Sequence, residues 1–459
     1  MKSIRPGLAL AVLLGLAACE AGAPSRPSTW APDADARGHT APTLRTAEAN
    51  TAILTELPLG DEQDFENARR GLVASDPHVV VPRETGGTAW NTKDYSFVAG
   101  EAPPSVHPSL WRQAKLNGIH GLFEVTAGIH QVRGYDLSNM TLIEGKTGWI
   151  LVDPLTSAET ASAALALARR HLGERPISAV ILTHSHIDHF GGIGGVLREE
   201  DLGRRALRII APAGFAHEAT SENVLAGVAM ARRASFMYGM PLSRSERGHV
   251  DTGLGKEPAR GRIGLVLPTE LVDRTPQEME IDGVRFVFQY APESEAPAEL
   301  TFYLPEAKAF CGAEIVSHTM HNLYTLRGAK VRDALRWSGY IDEAIDLFSD
   351  AEVVFASHHW PIWGNARVLE YLAKQRDTYK YIHDQTLRLA NRGYTPREIA
   401  ETLELPESLR PSFANRGYYG TVRHNAKAVY QWYFGWYDGN PAHLDPLPPA
   451  EAAVRYVDF

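Results

Sequence analysis

Two cysteines, Cys19 and Cys311, are all that the 459 residues contain. That excludes a cysteine-rich metal framework and a fold stapled by disulfides. A basic surplus is missing too: 46 lysines and arginines stand against 55 aspartates and glutamates, a formal net charge of −9. A nucleic-acid-binding face needs the opposite balance, so no nucleic-acid partner is expected, although a locally positive pocket for a small anion fits this charge. Long apolar runs are scarce as well. Leu8–Leu16 falls short of the roughly 20 residues that cross a bilayer.

That short run has another reading. Lys2 and Arg5 precede it, and Leu16-Ala17-Ala18-Cys19 ends it with small residues before a cysteine. The pattern resembles a bacterial lipoprotein signal over residues 1–19, cleaved before Cys19 with lipid on its sulfur. It places the chain at the periplasmic face of a bacterial membrane, touching lipid only through the N-terminal anchor. An ordinary secretory signal, giving a soluble periplasmic or secreted protein, is the alternative. Residues 20–50 are rich in Ala, Pro, Ser and Thr and read as a flexible tether.

Strand and helix patterns interleave over residues 51–364, which predicts α/β or α+β layers. MTLIEGKTGWILVDPL is a hairpin turning at Gly145–Gly148. Residues 160–172 are Ala/Leu-rich and helical, with Thr156 and Glu159 spaced as a capping box. ISAVILT, residues 177–183, is a β-branched buried strand. Helical periodicity marks 222–239, and strands are predicted at 284–290, 300–305 and 351–357. From 365 to 459 the chain turns helical. A long helix ends near Gly393, and a second starts at Thr395 with Pro396 and Glu398 as cap signals. The aromatic run KAVYQWYFGWY, 427–437, reads as buried.

The strand at 177–183 leads straight into THSHIDHFGG. His184, His186, Asp188 and His189 crowd into six positions, and Gly191 and Gly192 let the chain turn close beside them. Packing has no use for four polar groups there; unpartnered, each neutral one would cost about 1–3 kcal/mol. Imidazole and carboxylate are the donors zinc takes when thiolate is lacking. The spacing suits half or more of a two-metal centre, with the remaining donors on distant loops.

These residues, with SENVLAGVAMARRASFMYG, ESEAPAELTFYLP, HTMHNLYTLRGAKVRDALRW, ASHHWPIWGN and RGYYGTVRHNAKAVYQWYFGWYDGNPAHLDPLPP, resemble the alkyl sulfatase branch of the metallo-β-lactamase superfamily from about residue 105 onward. The resemblance implies an αβ/βα sandwich followed by an all-α dimerisation region, and two Zn2+ ions. His184 and His186 would hold one ion. Asp188, His189 and His359 would hold the other, with Glu295 and Glu314 shared around the pair. Glu293 and Glu299 rival Glu295, and His358 rivals His359.

An alkyl sulfate is a small anion on an apolar tail. Asn322 offers it a hydrogen-bond donor and Arg327 a planar fork for two sulfate oxygens; a surface ion pair with Asp333 is the other reading of Arg327. Tyr418 and His424 complete the substrate residues that the resemblance implies, with His424 donating as charge builds on the leaving group. Catalytic roles thus fall to Asp188, Arg327 and His424. Trp436 stands where some relatives have tyrosine. Many relatives also continue into a lipid-carrier-type domain, which this sequence is expected to lack. The expected activity is zinc-dependent hydrolysis of an amphiphilic sulfate ester by a homodimer. Another hydrolase on the same fold, acting on a phosphoester, thioester or β-lactam, and a non-catalytic surface lipoprotein are the alternatives.

Overall fold

The computed structural model describes residues 34, 35, 38–198, 200 and 207–459. Cys19 and the signal read from residues 1–19 lie outside them. The end of the tether is helical: Leu44–Glu56 forms an α-helix whose first turn is capped by Thr43, its hydroxyl accepting from the Thr46 N–H.

Two sheets face each other. One, of eight strands, runs in chain order across its width: Leu72–Ala74, Gly121–Thr126, Ile129–Arg133, Met140–Glu144, Trp149–Val152, Ile177–Ile181, Arg208–Pro212 and Glu270–Val272. Its first five strands are antiparallel, and Trp149–Val152 pairs parallel with Ile177–Ile181. The second, of six strands, runs Gln277–Ile281, Val284–Tyr290, Leu300–Leu304, Ala309–Cys311, Val353–Phe355 and Ile362–Trp363. Between them lies a core in which Ile150, Ile181 and Ile210 of one sheet meet Phe286, Phe288 and Phe302 of the other. Alternating side chains leave the second face of each sheet apolar, and helices cover it. Ala158–Leu172 packs on the first sheet, and Ala334–Leu347 with Asn365–Ala390 on the second. The architecture is therefore αβ/βα, as expected.

Ala158–Leu172 sits close to its sheet because its inner stripe is small: Ala161, Ala164, Leu165 and Ala168 are buried. Its cap is Ser157, whose hydroxyl accepts from the Thr160 N–H, one residue later than the predicted Thr156. Thr156 is taken instead by the buried Asp136 carboxylate, which accepts from its N–H and hydroxyl. Glu159 accepts from the Arg262 N–H rather than closing a box. The predicted box at Thr395 and Glu398 does form, and Asn365–Ala390 ends before Gly393 at φ 89°. The aromatic run differs from expectation. In Val422–Phe434 and beyond, Trp432, Tyr433 and Phe434 are 40%, 45% and 46% exposed and Trp436 is 72% exposed. Tyr433 meets His383 and Phe434 meets Tyr430, yet each ring keeps one face open to solvent.

The turn after Asp188 depends on close approach. A Cβ on Gly192 would lie 2.0 Å from the Pro154 carbonyl oxygen and 2.7 Å from that of Ser157. Gly192→Ala is expected to destabilise the protein by about 1–3 kcal/mol, read as a lower urea midpoint; an unchanged midpoint would show that the turn relaxes freely.

Candidate metal centre

The strand Ile177–Ile181 delivers the histidine stretch to the joint between the sheets. Thr183 N–H donates to Asp153 Oδ1 at 2.9 Å, and the Thr183 carbonyl accepts from Leu300 N–H at 2.9 Å. His184 bridges to Glu299 on the second sheet's side. From that side the chain after Val353–Phe355 crosses back: Asn139 N–H donates to the Ser357 carbonyl at 2.7 Å. Asp153 Oδ2 braces the whole joint, accepting from the Thr183 hydroxyl at 2.7 Å, the Ser357 hydroxyl at 2.8 Å and His189 Nδ1 at 3.0 Å.

Two groups of donors converge there. One is His184, His186, Glu295 and Glu314; the other is Asp188, His189 and His358. Glu314 Oε2 lies between them, 3.1 Å from His184 Nε2, 3.2 Å from His189 Nε2 and 3.2 Å from His358 Nε2. Glu295 Oε2 is 2.9 Å from His186 Nδ1 and 3.4 Å from His184 Nε2. The Nε2 atoms of His184, His189 and His358 and Glu295 Oε2 are buried without hydrogen-bond partners. Such atoms are costly in a folded interior. Nitrogen and carboxylate donors pooled this way fit a divalent ion of the zinc kind.

Outer contacts aim these donors. His184 Nδ1 lies 2.9 Å from the Thr183 hydroxyl and His358 Nδ1 3.1 Å from the Leu137 carbonyl, which with the His189–Asp153 contact puts the proton on Nδ1 and bares Nε2. His321 Nε2 donates to Glu314 Oε1 at 2.9 Å, and Arg332 reaches Glu295 Oε1 at 2.5 Å, so each carboxylate turns its other oxygen inward. Burial alone would raise the Glu295 carboxyl; Arg332 and His186 overcome that and hold it below the usual carboxylate range. Asp188 is likewise held low, with His189 and His358 outweighing burial.

The structure separates the rivals. His358, not His359, joins the donors. His359 has φ 63°, and this left-handed backbone sends its ring elsewhere: Nδ1 accepts from the His318 N–H at 3.1 Å and Nε2 meets the Gly253 carbonyl at 3.0 Å. Burial, with His318 and His358 nearby, holds its pKa well below the ordinary value. Glu295 is the inward acid. Glu293 pairs with Arg336 at 2.5 Å, and Glu299 accepts from the N–H groups of Ala296 and Glu314, both at 3.1 Å.

The substrate candidates are only partly assembled. Arg327 pairs with Glu222 at 3.1 Å, while Asp333 instead caps the helix Ala334–Leu347. Asn322 is buried with its side-chain oxygen accepting from Arg332 at 2.6 Å. Tyr418 turns its hydroxyl onto Ser109, away from the donors, and it is Tyr419 that stacks edge-on to His321 and bonds Tyr238 at 3.0 Å. His424 is exposed in the first turn of Val422–Phe434, beside Lys427, and is not brought to the donor cluster. Sequence reasoning missed Asp153, Glu222, His321, Arg332 and Tyr419. The first His-Thr-Met-His stretch and the second tyrosine of Tyr418-Tyr419 carried the available hints for two of them.

A sandwich of this architecture with a histidine and acid centre at the joint of its sheets defines a metallo-β-lactamase fold. The description "Metallo-beta-lactamase superfamily" matches residues 133–358, and "Alkyl sulfatase dimerisation" matches 395–459. The chain is 51% identical over 418 residues to the Saccharomyces cerevisiae protein "Alkyl/aryl-sulfatase BDS1", covering 90% of this chain and 64% of that one. It is 51% identical over 417 residues to "Linear primary-alkylsulfatase" of Pseudomonas sp, covering 90% and 62%. Among solved structures, the stereoselective inverting sec-alkylsulfatase Pisa1 of Pseudomonas sp. superposes with a TM-score of 0.88 at 44% identity, over 91% of this chain and 66% of that one. A double mutant of the same enzyme gives 0.89 at 45% identity over 67% of its chain. The chain belongs to the alkyl sulfatase family, and it spans less than two thirds of the length of the curated relatives it matches.

His358→Ala is expected to lower the metal that the purified chain retains after dialysis against zinc. His359→Ala should leave metal content unchanged and cost about 1–3 kcal/mol of stability through the orphaned His318 N–H. Elemental analysis with thermal melts checks both; metal loss in the His359 variant would reverse the assignment.

Proposed function

We propose that the chain hydrolyses alkyl sulfate esters to alcohol and sulfate with two zinc ions. The observation that carries this reading is the carboxylate of Glu314 shared by two adjacent donor groups, with a half-buried arginine, Arg327, linked to His186 through Glu222. His184, His186, Glu295 and Glu314 hold one ion; Asp188, His189 and His358 hold the other, with Glu314 common to both. Bound there, the ions supply Lewis acidity and bring the pKa of a bound water toward about 7.

The remaining work falls to side chains. Arg327 presents a planar fork suited to two sulfate oxygens and stays charged at any working pH. Tyr238 and Tyr419, joined through their hydroxyls, wall the side of this anion site. Asp153, Thr183 and Leu137 keep the ligating rings in one tautomer, so the donor set needs no reorganisation as charge develops. Water adds across the ester: one oxygen enters, the R–O–S linkage opens at carbon or at sulfur, and a proton ends on the alcohol or the sulfate. The identity of 51% to alkylsulfatases supports the substrate class.

Pairing of two chains is part of the same reading. The exposed Trp436, Val454, Tyr456 and Val457 lie in the segment that matches the dimerisation description, and burying them against a second copy would recover about 25 cal/mol per Å2 of apolar area.

Activity on dodecyl or hexyl sulfate, with none on a β-lactam, is the expected result. Arg327→Ala should lower kcat/KM at least tenfold at unchanged zinc content. Turnover in 18O water locates the attack, label in the alcohol meaning carbon. No hydrolysis of any sulfate ester by the zinc-loaded protein would remove the reading. Sedimentation should give the mass of two chains, and Trp436→Glu with Tyr456→Glu should shift it to one; a monomeric wild type would end the dimer proposal.

A further inference from the structure

Every ligating imidazole has a second nitrogen to satisfy. Those of His184, His189 and His358 meet Thr183, Asp153 and the Leu137 carbonyl at 2.9–3.1 Å. His186 is turned the other way round. Its Nδ1 faces Glu295 Oε2 at 2.9 Å, and its outward Nε2 is buried with no hydrogen-bond partner. The acid facing that nitrogen is Glu222, whose Oε2 is 3.7 Å away.

Glu222 is itself an anomaly. It is 5% exposed, yet its Oε1 has no partner. Its Oε2 accepts from Arg327 Nη1 at 3.1 Å. It sits on the π-helical turn Ser221–Leu225, between the helices Phe215–Thr220 and Gly227–Met237. Single π turns insert a residue and redirect a side chain, and they concentrate at functional sites. His186 Nε2 and Glu222 Oε1 are both buried and unpartnered, and Nε2 stands 3.7 Å from Oε2 of the same carboxylate, just beyond hydrogen-bond reach.

We propose that Glu222 is a positioning residue: it is the outer carboxylate of His186, closing on Nε2–H once Nδ1 is committed to a metal ion, and it ties that ligand to Arg327. A carboxylate on the outer N–H fixes the ring and makes the inner nitrogen a better donor, as Asp153 does for His189. The same carboxylate offsets the Arg327 charge, so an anion that engages Arg327 releases Glu222 toward His186. The link to Arg327 rests on the sulfate-ester reading; the link to His186 rests on metal binding alone.

The test therefore uses zinc alone. Apo-protein is titrated with zinc against a chromophoric chelator for wild type, Glu222→Gln and Glu222→Asp, alongside apo-protein melting and the cobalt(II) visible spectrum. Gln offers one oxygen to two donors, so one zinc equivalent should bind about 10–100-fold more weakly. The other equivalent and the apo melting temperature should stay as in wild type, and the cobalt band of one site should shift. Glu222→Asp, which keeps the charge on a shorter stem, should fall between and covers the case in which the Gln variant does not fold. Wild-type affinity at both equivalents, or equal weakening of both with a lower apo melting temperature, overturns the proposal. A failure to hydrolyse sulfate esters would leave these zinc affinities untouched, so the two readings fail separately.

Discussion

Seven candidate metal donors, six of them buried, converge where two sheets meet, and the fold around them must answer for their charge. Glu314 Oε2 is within 3.2 Å of three imidazole nitrogens. Left to themselves, buried carboxylates and bare imidazoles cost more than the packing nearby returns. An ion settles that debt only if every donor is aimed. The surrounding contacts do little else: Asp153 gathers Thr183, His189 and Ser357, Glu299 grips the backbone beside Glu295 and at Glu314, and Arg332 and His321 hold the far oxygens.

The sandwich explains why the donors come from both sheets. A loop that leaves a parallel strand at its carboxyl end carries His184 to His189, and loops after strands of the other sheet carry Glu295, Glu314 and His358. Each sheet is stiffened by its own helix layer and by the shared aromatic core. A site spread over two rigid bodies holds its geometry only while the joint is closed. That is the reason a glycine as tightly enclosed as Gly192 stands beside it.

Much of this was legible in the chain. The β-branched run before His184, the hairpin at Gly145–Gly148, the cap at Thr395 and the long helix before Gly393 are local patterns, and local patterns survive folding. The donor cluster was legible for the same reason: four of its members fall within six consecutive residues. Where the reading slipped, a neighbour one residue away had the better geometry, as with Ser157 for Thr156 and Tyr419 for Tyr418. Composition could not say that the aromatic run 427–437 would face outward, because a buried helix and an exposed aromatic one can share the same residues.

Sequence alone determined the donor types, their crowding after a buried strand and the layered α/β pattern, since each follows from spacing along the chain and the chemistry of the side chains. Tertiary structure alone decided that His358 enters the centre while His359 leaves it, that Glu295 rather than Glu293 or Glu299 faces inward, and that Arg327 answers to Glu222 rather than Asp333. Those choices turn on a backbone angle at His359 and on contacts between residues up to 221 positions apart, and no local pattern encodes a direction in space.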